Sequence, residues 1–277
     1  MKPIRLLASD LDGTLLHRGK ASPQTLAALK AAHDAGCTVV VATGRCMDML
    51  PRPIAKCPYA DAFITSNGAR TVLHGACLGA CPFPPARVQQ VLQILSEHGA
   101  SLNVFYDGKG RYDVGFIARI LKERGTPLRS RLHTLWQFLP RLRPARVIRR
   151  AAANAHAVEK IGGKFKTRAQ ADAARAALQA FGGLSVLPCF DADLDVTPAS
   201  VSKGAALFAL SNALQIAPDS IAACGDGGND ASMRMACGCF VAPNNAEPEA
   251  LAAADVRTAP AAQDGVANWI LEQFLAP

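Results

Sequence analysis

Two acidic loops, each directly after a short apolar run, constrain this chain more than any other feature. Asp10-Leu11-Asp12-Gly13-Thr14 follows the apolar residues 4–9, and Gly225-Asp226-Gly227-Gly228-Asn229-Asp230 follows Ile221-Ala222-Ala223-Cys224. Short apolar runs of this kind suit buried strands. Open α/β sheets bind ligands at the carboxyl ends of such strands. Carboxylates gathered there are costly unless a cation or a donor network compensates them. The two loops therefore predict one acidic sheet edge, with a hard divalent cation and oxygen ligands, most naturally Mg2+, as its occupant. Each loop also has a purely structural reading. The first could be an Asp-rich turn with Gly13 at positive φ, and the second a Gly-rich turn before a helix capped by Asn229. Capping, however, does not require Asp226.

The rest of the chain fits a sheet of that kind. Ser22-Pro23 opens a helix, because Ser is a good N-cap and Pro suits the first helical position. Leu26, Leu29 and Ala32 recur at helical spacing, and Gly36 serves as the C-cap. The β-branched run 38–42 and the run 62–65 read as further strands. Strand–helix–strand alternation with fully apolar strands predicts a parallel sheet wrapped by helices. Cys81-Pro82-Phe83-Pro84-Pro85 breaks this rhythm. A helix with Val88, Val91, Leu92 and Leu95 on one face follows, then shorter segments, and then an Ala-rich helix over 169–180 ended by Gly182-Gly183. Beyond Pro198 the alternation returns: helix 203–214, strand 221–224, helix 229–236, strand 240–242 and a final helix 265–274. The expectation is one α/β domain, residues 1–83 and 190–277, interrupted by an inserted domain, residues 84–189.

Half of the 277 residues are hydrophobic and 19% are charged, a globular composition that excludes a disordered tail or a collagen-like chain. No apolar run approaches the ~18 residues of a spanning helix. The apolar stretch within residues 1–10 is too short for a signal peptide, so a cytoplasmic protein without membrane partners is expected. The nine cysteines are scattered and lack zinc-site spacing, as reduced thiols would. Net charge is +8, but residues 109–150 hold twelve Lys or Arg against two acids, Asp113 and Glu123. Such a segment suits nucleic acid, an anionic surface, a phosphorylated small molecule or a solvated face with no partner.

Thr43-Gly44-Arg45 follows the second strand, where a hydroxyl and a backbone turn can hold a phosphate oxygen. Ser202-Lys203-Gly204 opens the first helix after the insertion. Taken in order, Asp-Leu-Asp-Gly-Thr, Ala-Thr-Gly-Arg, Ser-Lys-Gly and Gly-Asp-Gly-Gly-Asn-Asp resemble the haloacid dehalogenase (HAD) superfamily of phosphohydrolases, across roughly residues 1–80 and 190–277. Ser66-Asn67-Gly68 and residues 255–267 are further family-like pieces. The chain is similar to the Cof-type, or IIB, branch, whose cap is inserted between the second and third motifs. Only about 30 residues separate Asp10 from Thr43, too few for a cap domain of at least ~50 residues, whereas about 160 separate Arg45 from Lys203. The resemblance implies a Rossmann-like parallel-sheet core and an α+β cap of the C2 type. The central segment resembles such caps mainly in length.

Residue by residue, the resemblance implies that Asp10 is the nucleophile, forming an aspartyl-phosphate, and Asp12 the general acid/base. The transport-ATPase branch carries Thr at the latter place. Asp10 and Asp226 would hold Mg2+ through their side chains and Asp12 through its carbonyl, with Asn229 and Asp230 orienting ligands and waters. Thr43, Gly44 and Lys203 would bind the transferring phosphoryl group, and Arg45 and Asn67 would contact substrate. Where relatives often read Val-Ala-Met-Gly-Asn-Ala, this chain has Val241-Ala242-Pro243-Asn244-Asn245-Ala246, so loop contacts differ.

The expected function is a Mg2+-dependent phosphatase of a small phosphorylated metabolite, a sugar phosphate or a phosphorylated cofactor, acting as a monomer or homodimer. Arg111, Arg119, Arg124, Arg129 and Arg131 are candidates for pairing with an anionic leaving group. The alternatives are a phosphomutase of the phosphomannomutase type and a binder of nucleic acid or anionic surfaces that keeps a relict core. Few aromatics in the basic stretch (Tyr112, Phe116, Trp136, Phe138) and the intact catalytic positions argue against nucleic acid.

Overall fold

A computed structural model describes residues 3–122, 135–136, 138–189 and 192–275. Contacts divide the chain into two compact units, Met1–Ala80 with Val201–Pro277, and Cys81–Ser200.

The first unit is organised by strand β1 (Leu6–Ser9), which is buried throughout. An antiparallel hairpin, β2 (Leu16–His17) and β3 (Lys20–Ala21), follows it. Helix α1 (Pro23–Asp34) begins as its sequence predicts: the Ser22 side chain accepts the Thr25 N–H and Pro23 is the first helical residue. Then come β4 (Thr38–Ala42), a short α2 (Arg52–Ala55), β5 (Ala62–Thr65), β6 (Arg70–Leu73) and β7 (Ala76–Ala80). The chain re-enters this unit, after the second one, through a long helix over Lys203–Ala213.

The second unit contains α3 (Pro85–Glu97), β8 (Ser101–Tyr106), β9 (Lys109–Asp113), α4 (Val114–Lys122), β10 (Leu142–Arg143), α5 (Ala145–Ala153), β11 (Val158–Lys164), α6 (Arg168–Phe181), β12 (Leu184–Cys189) and β13 (Asp193–Pro198). Among the described residues its six strands run in the order β10-β9-β8-β11-β13-β12. All neighbours are antiparallel except β10 and β9. One sheet face packs under α3, α5 and α6. There Val88, Val91, Leu92 and Leu95 meet Leu102, Val104, Ile161, Val196 and Leu178 in one apolar core. This is an α+β architecture: strand and helix periodicities each bury one face against the other. Thr167 and Gly182 bound α6, at the N-cap and C-cap.

The first unit is completed by α7 (Lys203–Ala213), β14 (Ile221–Cys224), β15 (Cys239–Pro243), α8 (Pro248–Ala253), β16 (Val256–Thr258) and α9 (Gly265–Leu275). Among the described residues its main sheet has eight strands in the order β16-β15-β14-β1-β4-β5-β6-β7. The six from β16 to β5 are parallel. One face, with Leu7, Val39, Val41, Ala222 and Val241, is covered by α1 and α9 through Leu29, Ala32, Val266 and Ile270. The other, with Leu6, Ala8, Val40, Ile64 and Phe240, is covered by α7 through Leu207 and Leu210. Burial on both faces explains why these strands are apolar at consecutive positions rather than alternately.

The parallel-sheet core is present as expected, with two details that differ. The sheet is not wholly parallel, because β6 and β7 add an antiparallel hairpin at one edge. The two residues between them, His74 and Gly75, both have positive φ (47° and 82°), which suits a tight turn whose twist matches a hairpin. The segment after Asp230 forms a 3-10 helix, Ala231–Ala236, not an α-helix over 229–236. Asn229 does not cap it: the preceding residue is Asp230, and its carboxylate is committed elsewhere. No helix among the described residues is long and apolar enough to cross a membrane.

Candidate active site

The carboxyl ends of four adjacent strands, β14, β1, β4 and β5, carry the sequence motifs. Ser9 lies in register with Cys224 on one side and Val41 on the other. The ladder bonds continue into the loops: the Asp10 N–H donates to the Cys224 carbonyl at 2.9 Å, and the Thr43 N–H to the Ile64 carbonyl at 2.8 Å. Parallel register alone thus sets Asp10, Thr43, Ser66 and Gly225 on one edge.

Lys203 is the centre of the site. It opens α7, whose N-cap Ser202 accepts the Ala205 N–H. Its ammonium, 1% exposed, donates to Asp10 Oδ1 at 2.7 Å and to Asp230 Oδ1 at 2.5 Å. The second Asp230 oxygen accepts the Asp226 and Gly227 N–H groups at 3.1 and 2.9 Å, which closes the Gly225–Asp230 turn onto the lysine. Asp226 is held from the other side by the Thr14 hydroxyl, which donates to Oδ1 at 2.8 Å. Gly13 makes that approach possible. Its φ is +89°, and a Cβ there would lie 2.1 Å from Asp226 Oδ2.

The electrostatics follow from this crowding. Burial pushes the Asp10 carboxyl well above the usual carboxylate range; Lys203 pulls it down, while Asp230 and Asp226 push it up. Burial raises Asp226 to about 6, opposed by the Thr14 hydrogen bond and reinforced by Asp230. For Lys203 burial opposes the charge, but Asp10 and Asp230 together outweigh it and hold the ammonium above the ordinary lysine range. Carboxylate oxygens of Asp10, Asp226 and Asp230 lie within 4.8 Å of one another. Three carboxylates crowd around a single ammonium, an excess of acid over base, and the donors are all hard oxygens. The set fits a divalent cation.

Asp12 stands apart from this cluster. Its carboxylate is paired with Arg45, at 2.6 Å from Nε to Oδ2 and 2.7 Å from Nη2 to Oδ1. The Thr43 hydroxyl accepts the Arg45 N–H at 3.2 Å. Asn67 is buried behind Gly44, where a Cβ would meet its Oδ1 at 2.8 Å. That oxygen accepts from Asn229 Nδ2 at 3.2 Å, so Asn67 and Asn229 tie the β5 loop to the β14 loop. Ser66, Asn67 and Gly68 all have positive φ. Gly68 needs its lack of side chain, because a Cβ would lie 2.2 Å from the Ser202 carbonyl oxygen, next to the start of α7. This close approach couples the β5 loop to the residue that presents Lys203.

Several neighbours were given no role from sequence. Thr14 lies inside the first motif and its hydroxyl was the available signal. Glu247 accepts the Gly228 N–H at 2.7 Å and its own N–H donates to the Asp226 carbonyl. Asn245 donates to the Gly13 carbonyl at 2.9 Å and accepts the Ala261 N–H at 2.7 Å. The divergent segment thus buttresses the first acidic loop, with Pro243 closing β15. Of the arginines named as leaving-group partners, Arg119 spends its two terminal nitrogens on the Lys164 and Gly99 carbonyls. Arg111 donates to the Gly110 carbonyl and lies over Tyr106. Arg124, Arg129 and Arg131 lie outside the described residues.

Comparison with known proteins agrees with this arrangement. The haloacid dehalogenase-like hydrolase family matches residues 7–270. An HMP-PP phosphatase of Cronobacter sakazakii is 32% identical over 254 residues, covering 90% of this chain and 87% of the relative. A pyridoxal phosphate phosphatase of Escherichia coli is 26% identical over 294 residues, covering 98% and 99%. A solved HAD phosphatase from Bacteroides thetaiotaomicron shares 26% identity at a TM-score of 0.76, over 98% of this chain and 95% of that one. A HAD subclass IIB sugar phosphatase superposes with a TM-score of 0.77 at 22% identity, over 98% of both chains, a likeness of fold. The α/β sheet with its acid–lysine edge and these matches define a hydrolytic enzyme. The chain belongs to the haloacid dehalogenase-like hydrolases, with the fold of subclass IIB.

Proposed function

We propose that the chain is a Mg2+-dependent phosphatase that hydrolyses a small phosphorylated metabolite, a sugar phosphate or a phosphorylated cofactor, through an aspartyl-phosphate on Asp10. The observation that carries this reading is the buried Lys203 ammonium, shared between Asp10 and Asp230 inside a cluster of three carboxylates. The curated relatives named above, phosphatases of HMP-PP and of pyridoxal phosphate, favour the cofactor side of the substrate class.

In this reading Asp10 and Asp226, with the Asp12 carbonyl, would hold the cation, which supplies charge neutralisation to the phosphoryl oxygens. Asp230 keeps the Asp226 loop closed and shares Lys203. Lys203 favours the ionised form of Asp10 against the opposing effect of burial, and would pair with the phosphoryl group as it arrives. Thr43 and the Gly44 N–H orient that group for attack. An Asp10 oxygen bonds to phosphorus while Asp12 gives its proton to the leaving oxygen. Asp12 then takes a proton from the water that releases phosphate and restores Asp10. Such catalysis is mostly positioning plus electrostatic stabilisation, which suits the preorganised cluster.

Phosphate release from a panel of phosphorylated sugars and cofactors, with and without Mg2+, tests the proposal. The expected result is Mg2+-dependent turnover that Asp10→Asn abolishes. Folded wild-type protein that releases no phosphate but interconverts sugar phosphates when primed with a bisphosphate would replace the phosphatase with a mutase.

A further inference from the structure

Arg45, a residue expected to contact substrate, has its guanidinium turned onto Asp12. Two parallel bonds, Nε to Oδ2 at 2.6 Å and Nη2 to Oδ1 at 2.7 Å, engage both carboxylate oxygens. The other guanidinium edge is anchored by Nη1, which donates to the Met49 carbonyl at 3.1 Å. The backbone of Arg45 is held as well: its N–H donates to Thr43 Oγ1, and its carbonyl accepts the Ser66 N–H at 2.8 Å. The arm is thus fixed at both ends before it reaches Asp12.

This pair has a positional use beyond its energy. The Asp12 side chain is 47% exposed and that of Arg45 21% exposed, so the attraction between them is screened by solvent and contributes little stability. Orientation is a different matter. A single contact leaves a carboxyl free to rotate about its bond to Cβ, whereas a two-point fork sets its plane. Each carboxylate oxygen has two lone-pair sites, and the fork takes one from each. The remaining sites are presented in a fixed direction, as a group that must deliver and retrieve a proton within hydrogen-bond reach requires. Without the fork, a half-exposed Asp at a turn would spread over its rotamers and bond to water.

We propose that Arg45 is the positioning residue of the proton-transfer step, holding the Asp12 carboxyl plane toward the leaving oxygen. The proposal rests on the reading of Asp12 as the general acid/base. In the first half-reaction the Asp12 O–H bond breaks and its proton goes to the leaving oxygen. The bond from phosphorus to that oxygen breaks, its electron pair staying with the oxygen, as an Asp10 oxygen bonds to phosphorus. In the second, a water oxygen bonds to phosphorus, the bond to Asp10 breaks, and the water's proton passes to Asp12.

Leaving-group dependence separates this role from the others open to Arg45. A p-nitrophenolate leaves without being protonated; a simple alkoxide does not. Values of kcat/KM, which report the steps through formation of the aspartyl-phosphate, would be measured for p-nitrophenyl phosphate and for a primary alkyl phosphate. For Arg45→Ala and Arg45→Lys, the alkyl substrate should lose at least ~10-fold more than the aryl one, within the ~100-fold that a misplaced catalytic group costs. Asp12→Asn should show the same selectivity. Guanidinium salt at non-denaturing concentration should restore part of the alkyl activity to Arg45→Ala and none to Asp12→Asn. Equal losses on both substrates would make Arg45 a phosphoryl contact or a prop for the loop, and would overturn the proposal. If Arg45→Ala does not fold, Arg45→Lys decides, since it keeps the charge and loses the fork. Selectivity absent from Asp12→Asn itself would instead refute the acid/base reading. A wild type that turns over neither these esters nor any phosphorylated sugar or cofactor of the panel would refute the phosphatase, and the inference with it.

Discussion

Lys203→Met isolates the charge at the centre of the site. Methionine is a close match for the lysine stem, so little cavity is created and the missing ammonium dominates. That ammonium is 2.7 Å from Asp10 and 2.5 Å from Asp230 in a site with almost no solvent. Removing one partner of a buried ion pair costs about 3–5 kcal/mol. Here the cost falls at the lower end, about 3 kcal/mol, because Asp10, already raised by burial, can take up a proton instead of remaining an uncompensated charge. At ~2–4 °C per kcal/mol for a chain of this size, the melting temperature at alkaline pH should drop by about 6–12 °C. The sign of the pH dependence follows. Lys203 lowers the Asp10 pKa, so its loss raises that pKa further. A group raised in the folded state contributes stability that is present at low pH and lost as pH rises through its folded value. The gap between variant and wild type should therefore be small near pH ~5 and widen toward pH ~8. Thermal melts followed by circular dichroism at both pH values measure it. Asp10→Asn placed in the Lys203→Met background should recover stability, because it removes the orphaned charge. Turnover should fall by about 100- to 1,000-fold. A Lys203→Met protein that melts within ~2 °C of wild type at pH ~8, or with the same deficit at both pH values, would refute the reasoning.

Two other perturbations bear on the same cluster. Asp226 is raised from 3.8 to about 6, so its contribution is favourable below the lower value and is lost as pH rises through the upper one. Metal-free protein should lose thermal stability between pH ~4 and ~6, and added Mg2+ should raise the melting temperature more at the upper pH, a difference that a flat metal response across that range would disprove. Gly13→Ala forces a Cβ to 2.1 Å from Asp226 Oδ2 and a side chain onto φ +89°. The backbone alone costs about 1–2 kcal/mol, so melts with and without Mg2+ should show a lower midpoint and a reduced metal response.

How far the sequence could be read depended on the range of the interaction. Helix starts were legible because a cap is local: Ser22 and Ser202 each bond an N–H three residues away. Buried strands were legible because a continuous apolar run has few other uses. The β6–β7 hairpin was missed because its signal is a single His-Gly turn, and β7 is exposed at all five positions, so no apolar pattern marks it. The helix expected over 229–236 starts two residues later, as a 3-10 helix, because side chains hold its first residues. Asp230 is drawn to Lys203 and to two backbone N–H groups, and Asn229 to Asn67, so neither residue is free to cap an α-helix.

By itself the sequence determined the family, the α/β alternation and which residue types stand at the ends of which strands, because each of those is written in a few consecutive residues. Tertiary structure decided who meets whom. Lys203 reaches Asp10 across 193 positions of sequence, and Thr14 reaches Asp226 across 212. Arg45 reaches Asp12 across 33 positions. These partnerships arise because parallel pairing of β14, β1, β4 and β5 brings separate loops to one edge. Close packing there, with Gly13 and Gly68 leaving no room for a Cβ, lets each charged group reach only its immediate neighbours.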